Sequence, residues 1–266
     1  MGIKNAARWV LDRTGLSPVY VNRHIREMIK GHEEPPAAAP DGVPLPPLFL
    51  MALVSTSPDW RVFAESGKPT ADMLDRFAKE GGCGFADAKR ILDFGCGAGR
   101  VIRHLPAMTG AELYGVDYNP LFVRWCARNL KGAFSRNALL PPLRFPDRHF
   151  DVAYLLSVFT HMRRATQLRW LAELLRVTRP GGVVVTTFHD EHHASLKALP
   201  DARQALLKDG FFVHHNHFEG SNHMASFQTG ETARQMFSEV FEVVRIASGE
   251  EMSGQQAVAV LRRPAQ

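Results

Sequence analysis

The sequence predicts an α/β protein. It is built on a doubly wound, mostly parallel seven-stranded sheet, with helices on both faces and an antiparallel hairpin at one edge. Three observations lead there. Apolar strand-like runs alternate with helical patterns between Arg90 and Phe188. A glycine-rich turn, Gly95-Cys96-Gly97-Ala98-Gly99, separates the first such strand from the helix after it. Two more apolar runs, Phe241–Ile246 and Gln256–Leu261, lie close together near the end of the chain. A helical extension is expected before this core, and a long insertion, a candidate lid, within it.

A chain of 266 residues with 45% hydrophobic content can bury a real core, and its length suits one large domain with a small appendage. Cys83, Cys96 and Cys126 form no CxxC pair, which argues against a disulfide scaffold or a cysteine-rich zinc module. No apolar run approaches the roughly 20 residues of a membrane-spanning helix. The start, MGIKNAARWVLDRTG, shows no apolar leader core, so a cytoplasmic protein, monomeric or dimeric, is the expectation. The formal charge of +5 is spread along the chain without a dense basic block, so no nucleic-acid partner is expected.

The elements follow in order. Residues 1–31 read as one or two short helices: Ile3, Ala7, Val10 and Leu11 share a face, and Pro18 interrupts the pattern. Such a basic amphipathic segment fits packing on its own domain or on a partner, and also peripheral contact with a membrane surface. The stretch 33–47, EEPPAAAPDGVPLPP, reads as a stiff extended linker, so an N-terminal segment 1–47 precedes a domain at 48–266. Helical patterning resumes from Leu48 to Gly84 with breaks at Pro58 and Gly67; Met73, Leu74 and Phe77 share a face of Thr70–Lys79. The alternation then runs strand Arg90–Phe94, helix Gly99–Ala107, strand Glu112–Val116 and helix Pro120–Leu130 with Pro in its first turn. A short strand near Ala133–Ser135, strand Asp151–Leu156 and helix Thr166–Val177 come next. Pro180-Gly181-Gly182 stops that helix and turns the chain into strand Val183–Phe188. Continuous apolar strands such as DVAYLL belong to a sheet covered on both faces. Residues 189–228 are polar and aromatic and hold seven of the twelve histidines; a long irregular segment of this kind is expected to be a lid or binding loop. A helix over Glu231–Val240 and the two terminal strands complete the region 229–262.

The chemistry concentrates at four places. Asp93 precedes the glycines in an Asp-x-Gly-x-Gly-x-Gly spacing, which differs from the dinucleotide pattern G-x-G-x-x-G. A carboxylate there suits an ammonium group better than a pyrophosphate. Asp117 ends the next strand, eighteen residues after Gly99, where an acid can accept from both hydroxyls of a ribose or cap the helix that starts at Pro120. Asn137-Ala138 follows the third strand, where an amide can read an adenine edge. Ser157 through His161 closes the fourth strand.

In order and spacing, LDFGCGAGR, GVDYNP, FDVAYLLSVFTHM and LLRVTRPGGVVVTTF resemble the motifs of class I S-adenosylmethionine-dependent methyltransferases, of the group acting mostly on small molecules. The resemblance is specific over 90–188 and looser over 230–261. It implies a Rossmann-like fold, S-adenosylmethionine as cofactor, and methyl transfer to an oxygen or nitrogen of a small molecule such as a sugar-derived or natural-product intermediate. It further implies that Gly95, Cys96, Gly97 and Gly99 line the methionine and ribose part and that Asp93 lies near the amino group. Asp117 would hold the ribose hydroxyls, Tyr118 would cover the adenine face, and Asn137 with Ala138 would meet the adenine edge. The Ser157 backbone would border the methyl group. Arg100 fits a cofactor carboxylate or a solvated helix surface equally well.

His161 follows the fourth strand and His189 ends the fifth, where a substrate would approach; both are candidate catalytic bases, with capping or packing as the alternative. His189 and His193 are four apart, but no H-E-x-x-H spacing is present and no metal is expected. A nucleic-acid or protein methyltransferase is the rival of the same fold. Against it, Leu156-Ser157-Val158-Phe159 stands where base N-methylation uses an Asn/Asp-Pro-Pro-aromatic turn, and no Pro-Cys pair offers a thiolate. A non-catalytic cofactor-binding scaffold is the rival of another class.

Overall fold

In the computed structural model, residues 25, 27–54, 57, 59–214, 219–220 and 224–265 are described. The amphipathic face read at Ile3–Leu11 lies outside them, as do His215, His217 and His223.

Nine strands are described: β1 (Arg90–Phe94), β2 (Glu112–Asp117), β3 (Ala133–Arg136), β4 (Phe150–Leu155), β5 (Thr178–Phe188), β6 (Phe211–His214), β7 (Ala225–Gln228), β8 (Glu242–Ala247) and β9 (Ala257–Arg262). Seven form one sheet in the order β3-β2-β1-β4-β5-β9-β8, and β6 and β7 pair as a separate hairpin. Strands β3 to β5 run parallel, while β9 enters antiparallel between β5 and β8. The expected edge hairpin is therefore present, with β9 as its inner strand. The chain reverses its winding direction between β1 and β4, and the crevice at the carboxyl ends there is the general ligand position of such sheets.

The helices are α1 (Leu48–Val54), α2 (Trp60–Glu80), α3 (Pro120–Asn129), α4 (Arg164–Val177), α5 (Pro200–Asp209) and α6 (Gly230–Ser238). The period-two geometry of the strands splits the core into two layers. Leu92, Ala153 and Val184 face α4 and α6 through Trp170, Leu171, Leu174, Met236 and Phe237. Ile91, Val152, Tyr154, Val183 and Val185 face α2 through Leu74, Phe77 and Ala78. Both faces are covered, which explains the unbroken apolar strands. Trp170 is fully buried, and truncating a side chain of that size typically costs about 3–5 kcal/mol.

Several expectations need correction. The stretch 33–47 is not a free linker: Ala39 and Leu45 are buried in a cluster with Met51, Phe63 and Phe122. The break read at Gly67 is absent, because α2 runs through both Gly67 and Pro69. A Cβ at position 67 would come within 2.1 Å of the Arg100 carbonyl, so glycine there serves close approach to the glycine turn. The helix expected at Gly99–Ala107 is a 3-10 helix over Ile102–Ala107 containing Pro106. Pro180-Gly181-Gly182 does not separate helix from strand. Strand β5 already starts at Thr178, and the register jumps from Phe150–Thr178 to Val152–Val183, so the triplet bulges out of the ladder.

The insertion 189–228 is more regular than its composition suggests. It holds a 3-10 helix (Ala194–Ala198), α5, and the β6–β7 hairpin. Helix α5 has Pro200 in its first turn and left-handed Gly210 at its end, a pairing of start and stop signals legible in PDARQALLKDG.

Candidate functional site

The β1 strand delivers Asp93, 3% exposed, to the rim of the crevice, and the chain then turns through Gly95 (φ 81°) and Gly97 (φ 51°). Both φ values lie where a side chain is strained. Space is equally tight, since a Cβ at Gly95 would lie 2.4 Å from Val158 Cγ2 and one at Gly97 2.8 Å from Val54 Cγ1. The turn is thus a bare-backbone cradle between the end of β4 and the end of α1.

Asp117, at the end of β2, ties this turn to its own loop. Its Oδ2 accepts the Gly97 N–H at 2.9 Å, and its Oδ1 accepts the Asn119 N–H at 2.8 Å. Each carboxylate oxygen keeps a further lone pair for a ligand hydroxyl. The capping role weighed for Asp117 belongs to Asn119, whose side chain accepts from the Leu121 N–H at 3.0 Å. Burial pushes Asp117 up to about 6 against the pull of those two N–H donors. It pushes Asp93 further, to about 7, with Tyr154 and Arg100 drawing it down and Asp117 pushing it up. Arg100 does not lie on a solvated surface. It is held under α2, where its Nη1 donates to the Ser66 carbonyl (3.2 Å) and to Thr70 Oγ1 (3.1 Å), and burial lowers its pKa.

Asn137 Nδ2 donates to the Ala138 carbonyl at 2.8 Å, and its Oδ1 is buried without a donor. Tyr118 meets the insertion: a Cβ at Gly220 would lie 2.8 Å from Leu139 and 4.0 Å from the Tyr118 ring. Cys96 is inert by its surroundings: contact with Cys126 and burial both raise its thiol, and both sulfurs approach the Gly97 carbonyl, at 3.8 and 3.4 Å.

Ser157 follows β4 in a left-handed conformation (φ 58°), which costs an L-residue about 1–2 kcal/mol and is concentrated at functional sites. Beyond it, His161 and His189 come from different strand ends yet hang on one short segment, Met224 and the start of β7. His161 Nδ1 meets the Met224 carbonyl at 2.6 Å, and His189 Nδ1 meets the Ser226 carbonyl at 3.2 Å. A carbonyl only accepts, so each Nδ1 carries the ring proton and each Nε2 keeps its lone pair. Burial lowers both pKa values, His189 to about 3 with His193 and His161 adding to the effect. The His189 ring packs on His193 at 4.1 Å and on Phe227 at 4.9 Å. Among the described residues, no three His, Cys, Asp or Glu side chains gather as a metal site.

The glycine turn, Asp93, Asp117, Asn137, Ser157 and His161 fall inside a segment with known relatives, and His189 lies just past it. Residues 92–186 match the family model of a methyltransferase domain. The segment is a class I S-adenosylmethionine-dependent methyltransferase domain. The chain is 32% identical over 129 residues to a tocopherol O-methyltransferase of Arabidopsis thaliana, a match covering 45% of this chain and 36% of that protein. It is 28% identical over 144 residues to the methyltransferase str3 of Strobilurus tenacellus, covering 54% and 50%. The chain thus spans half or less of the length of these relatives. Among solved structures, an S-adenosylmethionine-dependent methyltransferase from Mesorhizobium loti superposes with a TM-score of 0.56 at 14% identity, over 74% of this chain and 99% of that one. The N-methyltransferase NodS of Bradyrhizobium japonicum, solved with S-adenosylhomocysteine, superposes with a TM-score of 0.52 at 16% identity, over 80% and 94%. At these identities the two structures show the shared fold.

The residues of the methyltransferase domain fit the cofactor of its class. The cradle at Gly95–Gly97 has no room for side chains, the Asn137 Oδ1 lacks the donor that an exocyclic amine provides, and two buried carboxyls, Asp93 and Asp117, are raised in a way that a cationic ligand reverses. The methyltransferase motifs did not point to three further side chains. Gln256, before β9, bonds to Ser157 and Thr187. Gln228, 1% exposed, has both amide atoms buried without a partner, and its backbone N–H donates to the His189 carbonyl at 2.9 Å. His193 packs on His189. No local pattern marks Gln256 or Gln228, whereas the His189/His193 spacing was visible.

Proposed function

We propose that the protein transfers a methyl group from S-adenosylmethionine to the oxygen or nitrogen of a small molecule, with a hydroxyl as the favoured acceptor. When bound, the cofactor supplies an electrophilic methyl group on a sulfonium. In this reading Asp93 and Asp117 meet its ammonium and ribose, the Gly95–Gly99 backbone lines it, Asn137 and Ala138 meet the adenine edge under Tyr118, and Ser157 borders the methyl.

The observation that carries the reading is the pair of neutral imidazoles just beyond the ends of β4 and β5, each with Nδ1 on a carbonyl of Met224–Ser226 and Nε2 free to accept. A hydroxyl needs a base to leave as a nucleophile, and a positioned imidazole is the usual one. His161 takes that role at Nε2. His189, pushed to about 3, is too weak to hold a proton near neutrality and instead accepts a hydrogen bond that orients the acceptor. Alignment and exclusion of water do the rest, and the insertion 189–228 serves as the lid on the acceptor side. Tocopherol O-methyltransferases and sterol 24-C-methyltransferases among the relatives support a small-molecule acceptor.

The test incubates the protein with methyl-labelled S-adenosylmethionine and a panel of phenols, ring alcohols and amines. Label transferred to a hydroxyl acceptor supports the reading. Cofactor binding without transfer to any acceptor favours a binding scaffold, and transfer to RNA or protein alone moves the function to the macromolecular rival.

A further inference from the structure

The ends of β4, β5 and β9 meet in a closed ring of hydrogen bonds. The Ser157 backbone N–H donates to Thr187 Oγ1 at 2.8 Å. Thr187 Oγ1 donates its own proton to Gln256 Oε1 at 2.6 Å. Gln256 Nε2 donates to Ser157 Oγ at 2.8 Å. The directions are mutually determined. Thr187 can accept the Ser157 N–H only while its proton points elsewhere, and the Gln256 carbonyl provides that place. The amide's other end then reaches the same serine.

What the ring holds is a strained residue in a decisive place. Ser157 has φ 58° without being glycine, and the next residue, Val158, packs onto the bare turn at Gly95. Ser157 therefore sits at the end of β4, where the winding of the sheet reverses between β1 and β4, beside the glycine cradle. A strained conformation persists only where its surroundings over-determine it. Here those surroundings are Thr187 and Gln256, and Gln256 reaches the other two members through the two ends of its side-chain amide.

We propose that Gln256 is a positioning residue for methyl transfer: it holds the left-handed turn at Ser157 against the crevice that receives the reactive methyl. The proposal rests on the function proposed above. Without Gln256, the Thr187 proton loses its acceptor and Ser157 loses a donor, so the turn relaxes toward the ordinary region of backbone space. Glycine adopts the left-handed conformation freely and needs no such brace.

The test compares S-adenosylmethionine with S-adenosylhomocysteine, which differ by the methyl group and its charge, in calorimetric titrations of wild type, Gln256→Ala and Ser157→Gly/Gln256→Ala. Gln256→Ala is expected to weaken S-adenosylmethionine about tenfold and S-adenosylhomocysteine less than about threefold, a misplacement effect confined to the methyl side. The double variant is expected to regain most of the lost affinity, because glycine restores the turn. Gln256→Asn, which keeps an amide, shows the same split in milder form and stands in if the alanine variant does not fold. Equal weakening of both ligands, no weakening, or no recovery with Ser157→Gly overturns the proposal. Wild-type protein that binds neither ligand overturns the function reading instead.

Discussion

The carboxylate of Asp117 accepts the backbone N–H of Gly97 at 2.9 Å, across twenty residues of chain. The carboxylate proposed to hold ligand hydroxyls therefore also holds the shape of the glycine turn. On that proposal, ligand contact and cradle geometry are coupled through one buried group.

Asp117→Ala should accordingly do two things at once. It strands a buried N–H, which typically costs about 1–3 kcal/mol, and it removes the acceptor proposed for ligand hydroxyls. Thermal unfolding should show a lower Tm, and calorimetry should show S-adenosylhomocysteine binding weakened more than tenfold, since roughly 1.4 kcal/mol is a tenfold change in affinity. Normal stability with normal binding would remove Asp117 from the site.

The pH dependence carries two opposing signatures. Asp93 and Asp117 have folded pKa values of about 7 and about 6 against an ordinary 3.8, so the folded state holds their protons more tightly than the unfolded chain does. Their contribution to stability is complete below the ordinary value and is lost as pH rises through 6 to 7. His189 runs the other way. Its folded pKa of about 3 lies below the ordinary 6.5, so its contribution is complete above 6.5 and is lost as pH falls toward 3. Tm measured from pH 4 to 8 should fall less steeply toward high pH in Asp93→Asn, and less steeply toward low pH in His189→Phe. S-adenosylhomocysteine, which carries an ammonium group, should bind more tightly as the two acids ionise, and Asp93→Asn should blunt that rise.

The central strands were legible because each is covered on both faces and reads as an unbroken apolar run, as in Val152–Leu155. The glycine turn and Asp117 were legible because tight turns and strand-end acids leave a local mark. Other parts leave none. Prolines in 33–47 look the same in a free linker as in a segment packed on Phe63 and Phe122. Pro69 inside α2 survives because the helix is held from outside by Arg100 and the core, which no local pattern reports. His161 and His189 are distant in sequence, and their common anchor on the Met224 and Ser226 carbonyls exists only once β7 has folded beside them.

His161→Phe tests the base. The imidazole is held neutral by burial, against the pull of the Met224 carbonyl, so the lone pair stays available through neutral pH. The variant should lose about 10²- to 10⁴-fold in kcat for a hydroxyl acceptor, the range of general-base catalysis, while S-adenosylhomocysteine affinity holds. The wild-type pH–rate profile should be flat near neutrality and fall only below the ordinary histidine value of 6.5. An amine acceptor arriving as the free base should lose far less in His161→Phe, since it needs no proton removed before attack.

Asp41 offers the sharpest test of how the proline-rich stretch is attached. The Arg103 side chain is 1% exposed, and its Nη2 donates to Asp41 Oδ1 at 3.1 Å and to the Val43 carbonyl at 2.9 Å. Its Nε and Nη1 are buried without partners, so the guanidinium depends on these two contacts. Burial lowers the Arg103 pKa and Asp41 opposes that, the signature of a cation whose removal from water is only partly compensated. Removing one partner of a buried pair leaves the other charge unpaired, at a cost of about 3–5 kcal/mol, and partial exposure of Asp41 lowers the expected figure to about 2 kcal/mol. Asp41→Ala should therefore lower Tm clearly. Asp41→Ala combined with Arg103→Met, which fills the site with an apolar side chain, should recover much of the loss. A free linker predicts no change in Asp41→Ala, so unaltered Tm in that variant would detach residues 33–47 from the domain.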